Sequence, residues 1–270
     1  MSPFPLTWLY APGDRPHVVA KAVASGADVV VADLEDAVAP DRKAYARAAT
    51  AELLSDPQPV PVHVRVNALD GPWAAADVLA VAALPGVAGL RLPKVTSAQA
   101  VVGVAKRTAL PLFALLETAL GIERAYGVAA AHPSLRGIAL GEADLRADLG
   151  VRDDAGLDWC RSRVVVAARA AGLQPPPQSV HPDIRDLEGL AASCAHGRAL
   201  GFLGRAAIHP RQLPVIERAY LPTPAEIEQA ETIIKAAATG QGALALPDGR
   251  FVDAAVVAAA QRTLSLARRG

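Results

Sequence analysis

The segment DVVVADLED, residues 28–36, joins a continuously apolar run to a cluster of carboxylates. A β-branched run without polar alternation is typical of a strand buried on both faces, as the strands of parallel sheets are. Seven further short runs that could form β-strands occur along the chain. The eight predicted strands are residues 7–11, 28–34, 60–66, 89–95, 110–117, 136–141, 178–182 and 204–210.

The stretches between these runs are rich in Ala, Leu and Arg and have helical spacing, and several of them end at Gly. Strands that alternate with helices indicate an α/β fold with a parallel sheet. Eight such units within residues 1–222 favour a (β/α)8 TIM barrel as the catalytic domain. Residues 223–270 are predicted to form a C-terminal extension, with helices over residues 224–238 and 254–268.

The composition excludes several classes of protein. The 270 residues include 27 basic and 27 acidic side chains, and 52% are hydrophobic but only 4% aromatic, which argues against a disordered or nucleic-acid-binding chain. Cys160 and Cys194 lie far apart, so no disulfide framework or thiolate metal site is expected. No secretory signal or membrane-spanning run is apparent, which favours a cytoplasmic protein without a membrane partner.

Nucleotide-binding fingerprints are also missing from the sequence. No GxGxxG follows an early strand, and no GxxxxGK[ST] loop occurs. A doubly wound dinucleotide-binding fold and a P-loop fold therefore both lack support.

Polar side chains follow the predicted strands at the points where these strands end. In a parallel barrel those ends form the active face, so a polar residue there is informative about function. All of them are expected around one mouth. These residues are Asp33, Glu35, Asp36, Arg65, Asn67, Lys94, Glu117, Glu142 and Asp144.

Two of these carboxylates suggest a metal site. Glu117 and Asp144 end adjacent strands, so they could converge on one Mg²⁺ and leave further positions for water and substrate oxygens. The alternative is that each carboxylate caps the helix that follows it.

Arg65 would point its guanidinium into the same mouth, where its fork of donors matches a substrate carboxylate. The alternative is an ion pair with the carboxylates of Asp33, Glu35 or Asp36. Both can hold together, because acidic groups in a partly dry pocket need a cation to stay ionised.

Seven sequence motifs, taken in their order along the chain, resemble those of a known protein family. They are YAPGDRP (residues 10–16), ADLEDAVAPDRKAYAR (32–47), RVNALDGPW (65–73), LPKV (92–95), LLETALG (115–121), GEADLRADLG (141–150) and AIHPRQ (207–212). Their order and spacing resemble the citrate lyase β-subunit-like (CitE-like) branch of the HpcH/HpaI aldolase superfamily of CoA-ester lyases. The resemblance extends over essentially the whole chain.

The resemblance implies a TIM barrel that holds Mg²⁺ through Glu117 and Asp144. It further implies that Arg65 binds the 2-oxo acid end of the substrate and that the carboxylates of the DLED motif line the same pocket. The coenzyme A thioester would enter along the mouth. The DLED carboxylates are Asp33, Glu35 and Asp36.

The C-terminal segment also matches, since relatives end in a lid that a neighbouring subunit lays over the active site. The motif GRFVD, residues 249–253, matches the GxxxD pattern of that lid and puts Asp253 in the place of the lid acid, where the resemblance makes it a catalytic residue. A homo-oligomer, with a trimer as the expectation, follows from the same resemblance. The alternative for Asp253 is an N-cap of the last helix, and the two roles are compatible.

The implied activity is Mg²⁺-dependent carbon–carbon cleavage of a 3-hydroxyacyl-CoA thioester of malyl, citramalyl or citryl type, giving acetyl-CoA and a 2-oxo acid. Three alternatives stay open. They are an acyl-CoA thioesterase or malate-synthase-like activity, a non-catalytic subunit that binds acyl-CoA or oxo acid, and a metal-dependent aldolase acting on free hydroxy acids.

Overall fold

The computed structural model describes residues 5–239, 244–245 and 251–269. These residues form an α/β fold, as predicted. The strands are β1 (Thr7–Pro12), β2 (Val29–Asp33), β3 (Val62–Arg65), β4 (Val87–Leu92), β5 (Leu112–Leu116), β6 (Leu135–Leu140), β7 (Arg205–Ala207), β8 (Leu244–Ala245) and β9 (Phe251–Val252).

Helices follow most of the strands. They are α1 (Pro16–Val23), α2 (Lys43–Leu53), α3 (Ala74–Val81), α4 (Ala98–Ala105), α5 (Ala119–Glu123), α6 (Ala125–Ala129), α7 (Glu142–Leu149), α8 (Asp158–Ala170), α9 (Leu187–Ala199), α10 (Leu213–Tyr220), α11 (Pro224–Thr239) and α12 (Ala254–Ala267). No helix among the described residues is both long enough and apolar enough to cross a membrane.

A parallel sheet organises the larger part of the chain. Its strand order is β6-β5-β4-β3-β2-β1-β7, and every pair of neighbours is parallel. All five residues of β2 are buried, as expected for a strand covered on both faces. The sheet aligns Asp33 of β2 with Arg65 of β3 and so brings two predicted site residues side by side.

Seven of the eight predicted strands are confirmed, and the prediction of a strand over residues 178–182 is wrong. Only Gln178 pairs there: its N–H donates to the Gly204 carbonyl at 2.9 Å, and its carbonyl accepts from the Ala206 N–H at 3.0 Å. Prolines at 175–177 and at 182 flank this residue and have no N–H to offer a ladder. The described residues therefore form a curled seven-stranded sheet, and the predicted closed eight-stranded barrel is not confirmed.

Local signals fix several helix starts. Pro16 occupies the first turn of α1, where a missing N–H costs nothing. Ser97 and Thr118 cap α4 and α5, each accepting a hydrogen bond from the backbone N–H three residues further on. These caps set the exits from β4 and β5, and hence the positions of the side chains that follow those strands.

The chain divides into two compact units. One is formed by Pro5–Ala219 and contains the parallel sheet, while the other contains the described residues from Tyr220 onward. Within the second unit, α11 and α12 pack around Ile233, Val252 and Ala260. Cys160 and Cys194 are buried free thiols.

Candidate active site

A cavity of about 420 Å³ lies at the carboxyl ends of the strands. Residues from all seven strands or the loops after them surround it, together with the segment 177–180, so the sheet curls around this space. The site residues among its lining are Tyr10, Asp33, Asp36, Arg65, Arg91, Glu117, Gly141, Asp144 and Ser179. The prediction that the strand-end residues meet at one mouth is therefore confirmed for most of them.

Arg65 and Asp33 form a buried bidentate pair inside this cavity. Arg65 Nε donates to Asp33 Oδ1 and Arg65 Nη2 donates to Asp33 Oδ2, both at 2.7 Å. The Asp33 carboxylate also accepts from the backbone N–H groups of Glu35 and Ala37. Two planar groups matched in this way hold the guanidinium in one orientation.

Glu35 and Asp36 complete the acidic surroundings of Arg65. Arg65 Nη1 lies 3.0 Å from Glu35 Oε2 and 3.3 Å from Asp36 Oδ2. Glu35 is buried whereas Asp36 is largely exposed, and burial raises the pKa of Glu35 although the Arg65 charge opposes this effect. The ion pair between Arg65 and the DLED carboxylates, which was the alternative prediction for Arg65, is thus present.

Lys94 is a site residue to which the sequence assigned no role. Its ammonium donates to Glu35 Oε1 at 3.0 Å and lies 3.6 Å from Asp36 Oδ1. Burial lowers the pKa of Lys94, but the hydrogen bond and charge of Glu35 outweigh burial and hold this pKa above its usual range. Lys94 also has a φ of 51°, in the left-handed region, which turns the chain sharply after β4.

That turn aims the Lys94 backbone N–H at Glu117, donating to Oε2 at 2.8 Å. The Glu117 side chain is 2% exposed. Burial, together with the charges of Glu35 and Asp144, raises the pKa of Glu117, while the Arg65 charge and the Lys94 N–H oppose the rise, and the resulting pKa is about 7. A carboxylate placed in this way is only about half ionised at neutral pH, and a bound cation would favour its ionised form.

Asp144 reaches the same cavity from the first turn of α7. Gly141 caps this helix and lies directly against Glu117: a Cβ at position 141 would overlap the Glu117 carboxyl group. Only glycine lets α7 start this close to β5. No cluster of three or more His, Cys, Asp or Glu suited to a metal occurs in the described part of the chain, so a cation here would be held by two carboxylates and completed by water or substrate.

Glu142, the other acidic residue of this loop, has a structural role. Its carboxylate accepts from Arg161 Nε at 3.0 Å and Nη2 at 2.7 Å, and Arg161 is buried. The Glu142 N–H donates to Ser179 Oγ at 3.2 Å and ties the loop to the segment after Gln178. These bonds fix the start of α7 and thereby the position of Asp144.

Asp253 lies in the second compact unit. Its Oδ1 accepts from the Val256 N–H at 2.9 Å, so it caps α12, as its alternative reading predicted. Residues 249–250 of the GRFVD motif, and residues 240–243 and 246–248 before it, lie outside the described residues.

Sequence comparison identifies the family. The profile of HpcH/HpaI aldolase/citrate lyase matches residues 6–210, which include every strand of the parallel sheet. The chain belongs to this family. The predicted resemblance is thereby confirmed.

Individual relatives match over nearly the whole chain. A (3S)-malyl-CoA thioesterase of Cereibacter sphaeroides is 39% identical over 96% of this chain and 93% of that protein. A citrate lyase subunit beta-like protein of Mycobacterium tuberculosis is 37% identical over 95% of this chain and 93% of that protein. The present structure also resembles the crystal structure of CitE from Mycobacterium tuberculosis in complex with magnesium, acetoacetate and coenzyme A. The TM-score is 0.85 and the sequence identity 35%, and the match covers 99% of this chain and 100% of the CitE chain.

Proposed function

We propose that this protein is a Mg²⁺-dependent carbon–carbon lyase. It would cleave a 3-hydroxyacyl-CoA thioester of malyl, citramalyl or citryl type into acetyl-CoA and a 2-oxo acid. One observation carries the proposal: a single cavity contains a clamped guanidinium, Arg65, and a pair of carboxylates, Glu117 and Asp144. Family membership and the CitE complex with magnesium, acetoacetate and coenzyme A support it.

Glu117 and Asp144 fit a Mg²⁺ ion. The raised pKa of Glu117 marks a buried negative charge that lacks sufficient compensation, and both groups supply the hard oxygen donors that Mg²⁺ prefers. When bound, Mg²⁺ would supply Lewis-acid chemistry at the hydroxyl and carboxylate of the substrate. Lys94 would hold Glu117 through its backbone N–H.

Arg65 is the residue that would recognise the oxo acid end. Of its five N–H donors, two bind Asp33 and those of Nη1 face Glu35 and the exposed Asp36, which leaves one Nη2 hydrogen for a ligand. A substrate carboxylate could also displace Asp36 from Nη1. The guanidinium would then stabilise negative charge on the oxygen that becomes the ketone.

The reaction needs one proton at carbon. As the bond between the two fragments breaks, the hydroxyl gives its proton to water, its carbon becomes the oxo carbon, and the electron pair of the broken bond passes to the thioester fragment as an enolate. Protonation of that enolate gives acetyl-CoA. We assign this step to Asp253, presented within the extension of residues 223–270 by a neighbouring subunit of a homo-oligomer.

A thioesterase is the second candidate, since the Cereibacter sphaeroides relative is named (3S)-malyl-CoA thioesterase. In that reaction water cleaves the thioester and free CoA leaves. The two activities differ in their products, so acetyl-CoA and free CoA distinguish them.

The experiment compares the wild type with Glu117→Ala and Asp144→Ala on malyl-CoA, citramalyl-CoA and citryl-CoA, with acetyl-CoA and free CoA followed by mass. We expect Mg²⁺-dependent acetyl-CoA formation by the wild type, and its loss in either variant while circular dichroism shows an intact fold. Gly103→Ala serves as the matched control, because Gly103 lies in α4 with open space around it. Full activity in a double Glu117→Ala/Asp144→Ala variant would remove the metal assignment and the proposal with it.

A further inference from the structure

Arg91 is a buried cation near the carboxyl end of the otherwise apolar strand β4. It lies on β4 between Leu90 and Leu92, both of which are fully buried, and its own exposure is 2%. The sheet aligns Arg91 with Arg65 on β3 and with Phe113 on β5. Aligned residues of parallel neighbours point to the same side, so Arg91 faces the cavity that Arg65 faces, and it lines that cavity.

Aromatic rings surround the Arg91 guanidinium. Its central carbon lies 5.7 Å from the Phe113 ring centroid, 5.8 Å from that of Tyr10 and 6.0 Å from that of Trp8. Its one hydrogen bond among the described residues is long, 3.4 Å from Nη1 to the Tyr10 hydroxyl, and buried Nε has no partner. Within the described chain, no carboxylate forms an ion pair with Arg91.

The two arginines therefore differ in charge compensation. Arg65 is surrounded by three carboxylates, whereas Arg91 has only the negative faces of aromatic rings, which offset a buried cation in part. A guanidinium does not lose its proton in a protein, so its charge persists. His63, stacked on Phe113, cannot compensate it, since burial and the Arg91 charge hold the pKa of His63 well below its usual value.

We propose that Arg91 binds a second carboxylate on the oxo acid part of the substrate, so that the oxo acid released is a dicarboxylate. This inference rests on the proposed function. The Tyr10 ring lies 5.3 Å from the Arg65 guanidinium carbon and 5.8 Å from that of Arg91, so the two cations flank one side chain and one small molecule can reach both. Arg65 would bind the carboxylate next to the oxo group, and Arg91 would bind the carboxylate at the other end of the oxo acid.

The identity of the substrate follows from the cost of leaving Arg91 unpaired. A substrate that ends in hydrogen or methyl at this position leaves a buried charge without a counter-ion, whereas a carboxylate supplies charge-assisted hydrogen bonds. Discrimination by polar groups of this kind is much stronger than discrimination by one methyl group. Citryl-type thioesters, which carry the additional carboxylate, would thus be preferred over malyl and citramalyl types.

The test is calorimetric binding of oxo acids to the full-length protein in the presence of Mg²⁺. Two matched pairs isolate the distal carboxylate, since each pair differs by carboxylate against methyl: oxaloacetate with 2-oxobutyrate, and 2-oxoglutarate with 2-oxovalerate. For at least one pair, we expect the wild type to bind the dicarboxylate at least about tenfold more tightly. In Arg91→Met that preference should disappear, while the affinity for the monocarboxylates stays within about threefold.

Arg91→Lys guards against a folding defect in the methionine variant, because it keeps the positive charge and should keep a reduced preference. Equal binding within both pairs by the wild type, or equal loss of all four ligands in Arg91→Met, would overturn the proposal. Arg65→Gln distinguishes a failure of this inference from a failure of the proposed function. If that variant binds all four oxo acids as the wild type does, the proposed function itself fails.

Discussion

Replacing Glu117 by glutamine removes one negative charge from the cavity and keeps the size of the side chain. The glutamine amide oxygen can still accept the hydrogen bond that the Lys94 N–H donates at 2.8 Å. The change therefore isolates the cost of ionising a buried carboxylate. Without a metal, we expect Glu117→Gln to be more stable than the wild type at alkaline pH.

The magnitude follows from the pKa. Burial, with the nearby charges of Glu35 and Asp144, raises the pKa of Glu117 from 4.5 to about 7 in the folded protein. Below pH 4.5 the folded and unfolded states both hold the proton. Between pH 4.5 and 7 the unfolded state ionises first, so stability falls as the pH rises. Above pH 7 the penalty is constant at about 3 kcal/mol.

Urea unfolding in EDTA at pH 5 and pH 8 measures this difference. We expect the two proteins to have similar free energies of unfolding at pH 5. At pH 8 the free energy of unfolding of Glu117→Gln should be higher than that of the wild type by up to about 3 kcal/mol. Saturating Mg²⁺ should stabilise the wild type and not the variant, because the ion needs the ionised carboxylate. A stability difference independent of pH, or equal stabilisation of both proteins by Mg²⁺, would refute the reasoning.

Three other changes have defined outcomes. Gly141→Ala should displace the neighbouring carboxylate and weaken Mg²⁺ binding at least about tenfold in a metal-dependent thermal shift, whereas Gly103→Ala, with open space around it, should leave binding unchanged. Arg161→Met should lower the free energy of unfolding by about 3 kcal/mol in a denaturant titration, because it leaves the partly buried Glu142 carboxylate unpaired. Asp253→Asn keeps an N-cap but not an acid, so acetyl-CoA formation should stop while size-exclusion chromatography shows unchanged assembly, and normal turnover would remove the assignment.

The arrangement of the sheet could be predicted from the sequence because continuous apolar runs recur between helical stretches. The run in β2 and the carboxylates after it place Asp33 and Asp36 correctly. The segment 178–182 could not be assigned in the same way. It takes the seventh place in the predicted alternation of strands and helices, but the surrounding prolines limit its pairing to Gln178, because proline has no N–H to donate to a neighbouring strand.

The predicted site residues on the larger unit do meet, and the ion pair of Arg65 with the DLED carboxylates was predicted, whereas the contacts of Glu117 were not. Strand-end position explains why Arg65 and Glu117 share a cavity. It does not predict the left-handed turn at Lys94 that aims a backbone N–H at Glu117. The break of the apolar pattern by Arg91 inside a buried strand was a signal available from the sequence, since a charge at such a position needs a partner.

Product analysis with malyl-CoA, citramalyl-CoA and citryl-CoA tests the central claim most directly. The purified protein is incubated with each thioester and Mg²⁺, and acetyl-CoA, free CoA and 2-oxo acid are quantified by mass. The account predicts acetyl-CoA and 2-oxo acid in equal amounts from at least one thioester, and their loss when EDTA is added. Free CoA without 2-oxo acid, or acetyl-CoA formation that persists in EDTA, would contradict it.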